Sequence, residues 1–264
     1  MNALHPTECF NTLSDEAKKK TLLNGMGTEL LQLGLEFAVP LWWGFETQDG
    51  TYGLRNGSAF LVDHDHGIFA VTAAHVFREY CEAKRTARSI GCQLGNALVD
   101  PETALIGCRD DLDIATFRVS EATAKQIDKR IVRPDPPNWA PLCPATRNFA
   151  FFAGFPAQTR WTPSPQFFAA APYFAMPPIT SVTDHQIACR FDRDTMIDLG
   201  GSGLPPPGYD IGGVSGGPML LPTLVGQGVI WRFAGVITQA ALGAIFEGVV
   251  AVRAHYVQPD GRIG

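Results

Sequence analysis

The sequence predicts an all-β fold made of two small antiparallel β-barrels. Short strand candidates follow one another from residue 37 to residue 252, with turn residues between them. The chain contains 27 glycines and 20 prolines in 264 residues, an excess typical of a globular protein with many turns. A proline-rich connector at residues 134–144 divides the strands into two comparable groups. Together these features favour a β-sandwich or barrel over a helical fold.

Ten segments have the apolar or alternating character of short strands. They lie at residues 37–46, 51–62, 67–72, 104–108, 114–119, 149–154, 186–191, 218–221, 228–238 and 248–252. Turn chemistry at residues 48–50 and 63–67 joins the first three into hairpins. The first three strand candidates are therefore separated only by short turns.

Three helices are expected around these strands. The longest covers residues 12–36, where leucines recur at helical spacing and Ser14 or Thr12 would form the cap. Gly25, Gly27 and Gly34, within this stretch, favour a division into two shorter helices. Two further short helices are predicted at residues 74–87 and 120–130.

The helical stretch and the two strand groups define the expected organisation of the chain. Residues 1–36 form an N-terminal helical extension, and residues 37–264 form the β domain. The first barrel covers about residues 37–133 and the second about residues 145–258. We expect the extension to pack on the barrels, and a partner-binding element is the alternative.

The composition is that of a globular protein, with 45% hydrophobic and 18% charged residues. The net charge of −5 argues against a nucleic-acid-binding face. No apolar run reaches the roughly 18 residues of a membrane span, and the N-terminus has no apolar segment of a secretory signal. The 6 cysteines, none spaced C-x-x-C, then indicate reduced thiols in a cytoplasmic protein without membrane contact.

Three segments combine small residues with a side chain able to take part in catalysis. The first is GSAFLV at residues 57–62, followed after a turn by AVTAAHV at 70–76, which contains His75. The second is DLDIATF at 111–117, which contains Asp113. The third is GGVSGGP at 212–218, with Ser215 at its centre.

From about residue 50 to 255 these motifs resemble the trypsin-like, chymotrypsin-fold serine peptidases, and in particular the HtrA-like bacterial branch. The chain order His, Asp, Ser is that of the family. The resemblance implies two six-stranded antiparallel β-barrels and hydrolysis of a protein or peptide substrate. It implies no cofactor and no metal.

The expected roles follow from elementary chemistry. A serine hydroxyl is a poor nucleophile until a hydrogen-bonded base takes its proton, which His75 would do for Ser215. A carboxylate, Asp113, would fix the tautomer of the imidazole. The amides of Gly213 and Ser215 would form the oxyanion hole. Asp110 and Asp111 are the alternatives for the acid, but Asp113 directly precedes the strand, as the acid of the family does.

The same resemblance assigns a substrate-binding pocket beside the nucleophile. One wall would come from residues just before it, and the other from the strand that follows and its neighbour. The assigned residues are Tyr209, Asp210, Thr238, Gln239, Ala240 and Gly248. Asp210 would attract a basic side chain if it faced the pocket, and Tyr209 on the floor would make the pocket shallow.

Two departures from the family concern activation and domain content. Zymogen-forming relatives have an aspartate directly before the nucleophile, which pairs with a newly freed N-terminus, whereas this chain has Val214. We therefore expect no N-terminal cleavage. The 49 residues after Ser215 are too few for the PDZ domain of HtrA proteins, so we expect none.

The sequence leaves two alternatives to an endopeptidase. A catalytically silent binding module on the same fold is one, and a latent protease effector activated by a regulatory protein partner is the other. The sequence also leaves one alternative to the expectation that the protein binds no metal. The run DHDH at residues 63–66 suggests metal binding, although a solvated hairpin turn is the interpretation that we favour.

Overall fold

Two antiparallel sheets contain most of the strands. One sheet is formed by the chain before residues 134–143 and the other by the chain after them. The computed structural model describes residues 14, 16–17, 20, 22–64, 66–133, 144–164, 167–194, 196–198, 204–206, 208–225, 228–242 and 247–264. Thr12 and the connector at residues 134–143 therefore lie outside the described residues.

Within the described residues, the first sheet has eight strands. They are β1 (Val39–Glu46), β2 (Tyr52–His64), β3 (Gly67–Ala73), β4 (Ser89–Leu94), β5 (Ala97–Val99), β6 (Leu105–Arg109), β7 (Ile114–Arg118) and β8 (Ile131–Val132). The order is β5-β4-β1-β2-β3-β7-β6, and β8 adds a short parallel pairing to β2. All the other neighbouring strands are antiparallel.

The second sheet has seven strands in the part of the chain that the structure describes. They are β9 (Phe151–Gly154), β12 (Tyr173–Ala175), β13 (Ser181–Val182), β14 (Gln186–Arg190), β15 (Pro218–Val225), β16 (Gly228–Leu242) and β17 (Glu247–Arg253), in the order β12-β9-β15-β16-β17-β14-β13. A separate hairpin, β10 (Arg160–Ser164) with β11 (Phe167–Ala170), follows β9.

The predicted all-β fold class, with one antiparallel unit before the connector and one after it, is confirmed. The sheets contain eight and seven strands, where six per barrel were expected. Five of these strands, β4, β5, β8, β12 and β13, lie outside the ten predicted segments, because they have only two to six residues each and are too short to give a strand pattern.

The described residues form three apolar core clusters, one belonging to each sheet and one shared between them. In β2, Ala59 and Leu61 contact the first-sheet cluster, and the alternate residues Phe60 and Val62 contact the shared cluster. Because successive side chains of a strand point to opposite faces, a strand buried on both faces is apolar throughout. The continuous apolar runs next to the motifs are explained by this double burial.

Helix α1 (Gly27–Leu35) packs on β9 at the edge of the shared cluster. Leu31 and Leu35 contact that cluster, and a Cβ added at Gly34 would lie 2.7 Å from the ring of Phe151. The predicted division of the helical stretch occurs at Gly25, where φ is 102°. Upstream of it, the Ser14 hydroxyl accepts a hydrogen bond from Ala17 N at 3.3 Å, as a helix cap does.

The other two helices flank the first sheet. They are α2 (Ala74–Thr86) and α3 (Glu121–Ile127), and both lie within the predicted segments. Ser120 caps α3, with its hydroxyl accepting from Thr123 N. In the described part of the chain no helix is long and apolar enough to cross a membrane. The four described cysteines, Cys81, Cys92, Cys108 and Cys189, are free thiols.

Candidate active site

A hydrogen-bonded pair, His75 and Asp113, forms the centre of the site. His75 Nδ1 lies 2.7 Å from Asp113 Oδ2, and His75 backbone N donates to Asp113 Oδ1 at 2.8 Å. An ionised carboxylate can only accept hydrogen bonds, so the network assigns the proton to Nδ1 and the free lone pair to Nε2. The imidazole is thereby held in the tautomer that a general base requires.

Asp113 also closes the N-terminus of α2. The residue that would cap this helix is Ala73, which has no polar side chain. Instead, Ala74 N donates to Asp113 O at 3.1 Å, and His75 N donates to the carboxylate. A negative charge is favoured at this end of a helix. Asp113 has φ 53°, an uncommon conformation for a residue other than glycine and one that recurs at functional sites.

The two neighbouring aspartates, Asp110 and Asp111, pair with arginines rather than with His75. Asp110 forms an ion pair with Arg78, and Asp111 accepts hydrogen bonds from Arg109 Nε and Nη2 at 2.8 and 2.5 Å. The hydrogen bonds from Arg109 lower the pKa of Asp111. Both carboxylates are exposed. Of the three candidates for the acid, only Asp113 faces the imidazole.

Ser215 lies in a tight turn that packs against the first sheet. Its carbonyl oxygen accepts from Ser58 N at 2.9 Å, and Gly216 N donates to Ile237 O at 2.7 Å. Gly216 has φ +87°, and a Cβ there would lie 2.0 Å from Ser58 O and 2.9 Å from Ala73 N, so only glycine fits. Because Ala73 is two residues before His75, the turn brings Ser215 beside the histidine segment.

The Ser215 hydroxyl donates to Thr238 O at 3.4 Å. Among the hydrogen bonds of the described residues, none joins this hydroxyl to His75. Catalytic hydrogen bonds are often long or poorly aligned until a substrate is bound. Thr238 is the extra residue of a β-bulge, since Ile237 pairs with Ala251 and Gln239 pairs with Val250. Bulges of this kind re-aim backbone groups next to functional sites.

An amide of an oxyanion hole must be free to donate to the substrate oxygen. Within the described residues, the amides of Gly213 and Ser215 donate no hydrogen bond, as this role requires. The carbonyls on the other side of their peptide planes are both held: Gly212 O accepts from Ala157 N at 2.7 Å, and Val214 O accepts from Gly217 N at 3.0 Å. In a trans peptide the C=O and the following N–H point in opposite directions. Both amides are therefore directed away from these partners.

The residues predicted to line the pocket do not all face one cavity. Tyr209 and Ala240 pack on the second-sheet cluster, and burial raises the pKa of Tyr209. Tyr209 stacks on Tyr173, with 6.4 Å between ring centroids, and burial raises the pKa of Tyr173 to about 12. Gln239, by contrast, is exposed to solvent.

The remaining pocket candidates have structural partners. Asp210 is exposed, and its Oδ1 accepts from Gly212 N at 2.7 Å, so this carboxylate closes its own turn. The Thr238 side chain is buried and contacts Val250 O. Gly248 is buried in β17, opposite Ala241.

The 63–66 turn joins β2 to β3. Asp63 Oδ2 accepts from Arg133 Nε at 3.0 Å, and the rings of His64 and His66 stack at 6.1 Å. In the part of the chain that the structure describes, no group of three or more His, Cys, Asp or Glu side chains could hold a metal ion. Asp65 lies outside the described residues.

Two residues near the site were given no role by the sequence. Ser58 is fully buried and its hydroxyl donates to Gly213 O at 2.8 Å. Asn56 Nδ2 donates to Phe155 O at 2.6 Å. The available signal was a pair of polar residues, two apart, directly before the apolar half of β2.

No family model matches the chain, and no curated protein sequence does. Among solved structures, the chain is similar to the crystal structure of AL20, a thermostable serine protease from an extremophilic microorganism. The similarity covers 84% of this chain and 92% of that protein, with 12% sequence identity and a TM-score of 0.47. Sequence identity this low does not carry an activity from one protein to another.

Proposed function

We propose that this protein is a serine endopeptidase of the trypsin-like type, acting on a protein or peptide substrate. The observation that carries the proposal is the His75 Nδ1–Asp113 Oδ2 hydrogen bond of 2.7 Å, beside a turn that presents Ser215. His75 is the general base, Asp113 orients it, and Ser215 is the nucleophile.

The reaction is an acyl transfer in two halves. Ser215 Oγ forms a bond to the scissile carbonyl carbon while its proton moves to His75 Nε2. The negative charge that develops on the carbonyl oxygen is stabilised by the amides of Gly213 and Ser215. The C–N bond then breaks, and the histidine proton goes to the leaving amine. Water, deprotonated by the same histidine, hydrolyses the acyl-enzyme and restores the serine hydroxyl.

We expect substrate preference to be set by residues beside Ser215, among which the predicted ones, at 209–210, 238–240 and 248, belong to the segment before the nucleophile and to β16 and β17. Neither Tyr209 nor Ala240, which are partly buried against the second-sheet cluster, carries a charge. The Asp210 carboxylate is engaged by Gly212 N, which weakens the case for recognition of a basic side chain by that residue. We propose a preference for an uncharged side chain at the position before the scissile bond.

The test is digestion of a denatured protein and of a diverse peptide pool, with identification of the products by mass spectrometry. Internal cleavage by the wild type and none by Ser215→Ala supports an endopeptidase, and the cleavage sites give the preference. Intact substrate in both samples contradicts it. Cleavage that appears only after addition of a partner protein supports the second candidate function, a latent protease. One observation favours that candidate: the Ser215 hydroxyl donates to Thr238 O rather than to His75.

Activity is expected without any N-terminal processing. Val214 is fully buried in the second-sheet cluster, and its apolar side chain could not pair with an ammonium group brought beside it. The measurement is the activity of a chain with an uncleavable N-terminal tag, with mass spectrometry of the intact protein as control. A strict requirement for a new N-terminus between about residues 30 and 50 would show the prediction to be wrong.

Activity is also expected to rise as the pH is raised from the acid side, because the general base must be neutral to accept the serine proton. A pH profile of kcat/KM measures this, and EDTA is expected to leave the profile unchanged. Loss of activity in EDTA, with recovery on adding Zn²⁺, would instead implicate a metal at residues 63–66.

A further inference from the structure

Ser58 is the buried polar residue to which the 212–215 loop is attached. Its side chain is fully buried in β2, next to Gly57 and Ala59. The hydroxyl donates to Gly213 O at 2.8 Å and accepts from Phe155 N at 2.8 Å. Its backbone N donates to Ser215 O at 2.9 Å. Three polar contacts of one residue thus join the loop and the residue after β9 to the first sheet.

Asn56 lies two residues earlier and therefore on the same face of β2. Its Nδ2 donates to Phe155 O at 2.6 Å. The backbone of Phe155 is consequently held at both its N–H, by Ser58, and its C=O, by Asn56. Two residues later, Ala157 N donates to Gly212 O at 2.7 Å. Hydrogen bonds at Phe155 and Ala157, together with the backbone between these residues, link the two side chains to the Gly212 carbonyl.

This arrangement determines the direction of the Gly213 amide. With Gly212 O held by Ala157 N, the Gly213 N–H of the same trans peptide must point the opposite way. Flipping that peptide would direct the Gly213 N–H at the Ala157 N–H, so that two hydrogen-bond donors would face each other without an acceptor. Gly213 itself has φ +100°, and a Cβ there would lie 2.7 Å from Phe155 O and 2.8 Å from Asn56 Nδ2. The loop thus fits closely against the residues that hold it.

We propose that Ser58 and Asn56 are positioning residues that hold the 212–215 loop with its Gly213 amide available to the oxyanion. The proposal rests on the proposed function. It supplies the internal order that an N-terminal ammonium gives to zymogen-forming proteases, using neutral hydrogen bonds from the first sheet. Neither side chain touches the reacting atoms; both act through the backbone of the loop.

The test compares Ser58→Ala and Asn56→Ala with Thr116→Val. Thr116 is a matched control because its buried hydroxyl also donates to a glycine carbonyl, Gly261 O, far from the loop in sequence. For Ser58→Ala we expect kcat to fall by about 10- to 100-fold with KM within about twofold, a smaller loss than the 10²–10³-fold caused by removing an oxyanion donor. Asn56→Ala is expected to lose about 10-fold, and Thr116→Val to keep the wild-type kcat.

Two further measurements separate positioning from a general loss of structure. A peptide aldehyde forms a hemiacetal whose oxygen occupies the oxyanion site, so its inhibition constant should rise by the same factor as kcat falls. The midpoint of the pH profile should stay at the wild-type value, since the His75–Asp113 pair is untouched. If Ser58→Ala does not fold, Asn56→Ala is judged by the same criteria.

The proposal is overturned if both variants of β2 retain the wild-type kcat. An equal loss of kcat in Thr116→Val would overturn it too, as would a loss of kcat without weaker aldehyde binding. Failure of the proposed function gives a different result: wild-type protein would then turn over no peptide at all, and both proposals would fall together.

Discussion

Ser215→Ala is expected to lower the turnover of a peptide substrate by roughly 10⁴- to 10⁶-fold. The change removes the atom that forms the acyl-enzyme. It costs the fold little, because the hydroxyl has only a long hydrogen bond, 3.4 Å, to Thr238 O. The measurement is kcat/KM on a peptide cleaved by the wild type, with the thermal unfolding midpoint as the control for folding.

His75→Ala should cause a comparable loss, and the double variant should be no slower than either single one. Residues that act as one catalytic unit are not additive, since the loss of either disables the same step. Losses that multiply in the double variant would mean that Ser215 and His75 act in separate steps, against the mechanism proposed above.

Asp113→Asn is expected to lower turnover by about 10⁴-fold. In the structure two donors, His75 N and His75 Nδ1–H, face the two oxygens of one carboxylate. An amide has a single oxygen, so it cannot accept from both. With the oxygen kept on the backbone N–H, the NH₂ group faces Nδ1 and forces the proton to Nε2, which is the tautomer unable to accept the serine proton.

Asp111→Asn is the matched control for this variant. Its carboxylate is exposed and paired with Arg109 on the surface, where an ion pair contributes little. We expect turnover within a few-fold of wild type. A severe loss in Asp111→Asn together with a mild one in Asp113→Asn would reassign the acid.

The strands that carry the motifs were predictable because they are buried on both faces. The β2 and β3 segments are long, apolar and bounded by turn residues, so local composition alone locates them. The strands β4, β5, β12 and β13 were not predicted. They are short or partly exposed, and their pairing is decided by neighbours distant in sequence rather than by their own residues.

In the candidate site, too, some residues were predictable from the sequence and others were not. His75, Asp113 and Ser215 were identifiable because each lies in a motif of several residues. The contacts of Ser58 were not, since its partners Phe155 and Gly213 are 97 and 155 positions away. The Thr238 carbonyl is a backbone group placed by a β-bulge and has no residue signature.

Asp210 illustrates an opposite case, in which a local signal was present. An aspartate two residues before a glycine commonly accepts a hydrogen bond from that glycine amide, and Asp210 does so with Gly212 N. The spacing of Asp210 and Gly212 in the sequence therefore predicts that this carboxylate closes a turn rather than binds a basic substrate side chain.

Labelling with a fluorophosphonate probe, with wild type and Ser215→Ala side by side, tests the central claim most directly. The probe forms a covalent bond only with a serine whose proton is taken up by a base and whose oxyanion hole is formed, and it needs no knowledge of the substrate. We predict one equivalent of label on the wild type, at Ser215 by peptide mapping, and none on Ser215→Ala. Absence of label on folded wild-type protein, or equal labelling of both proteins, would contradict the assignment of Ser215 as an activated nucleophile.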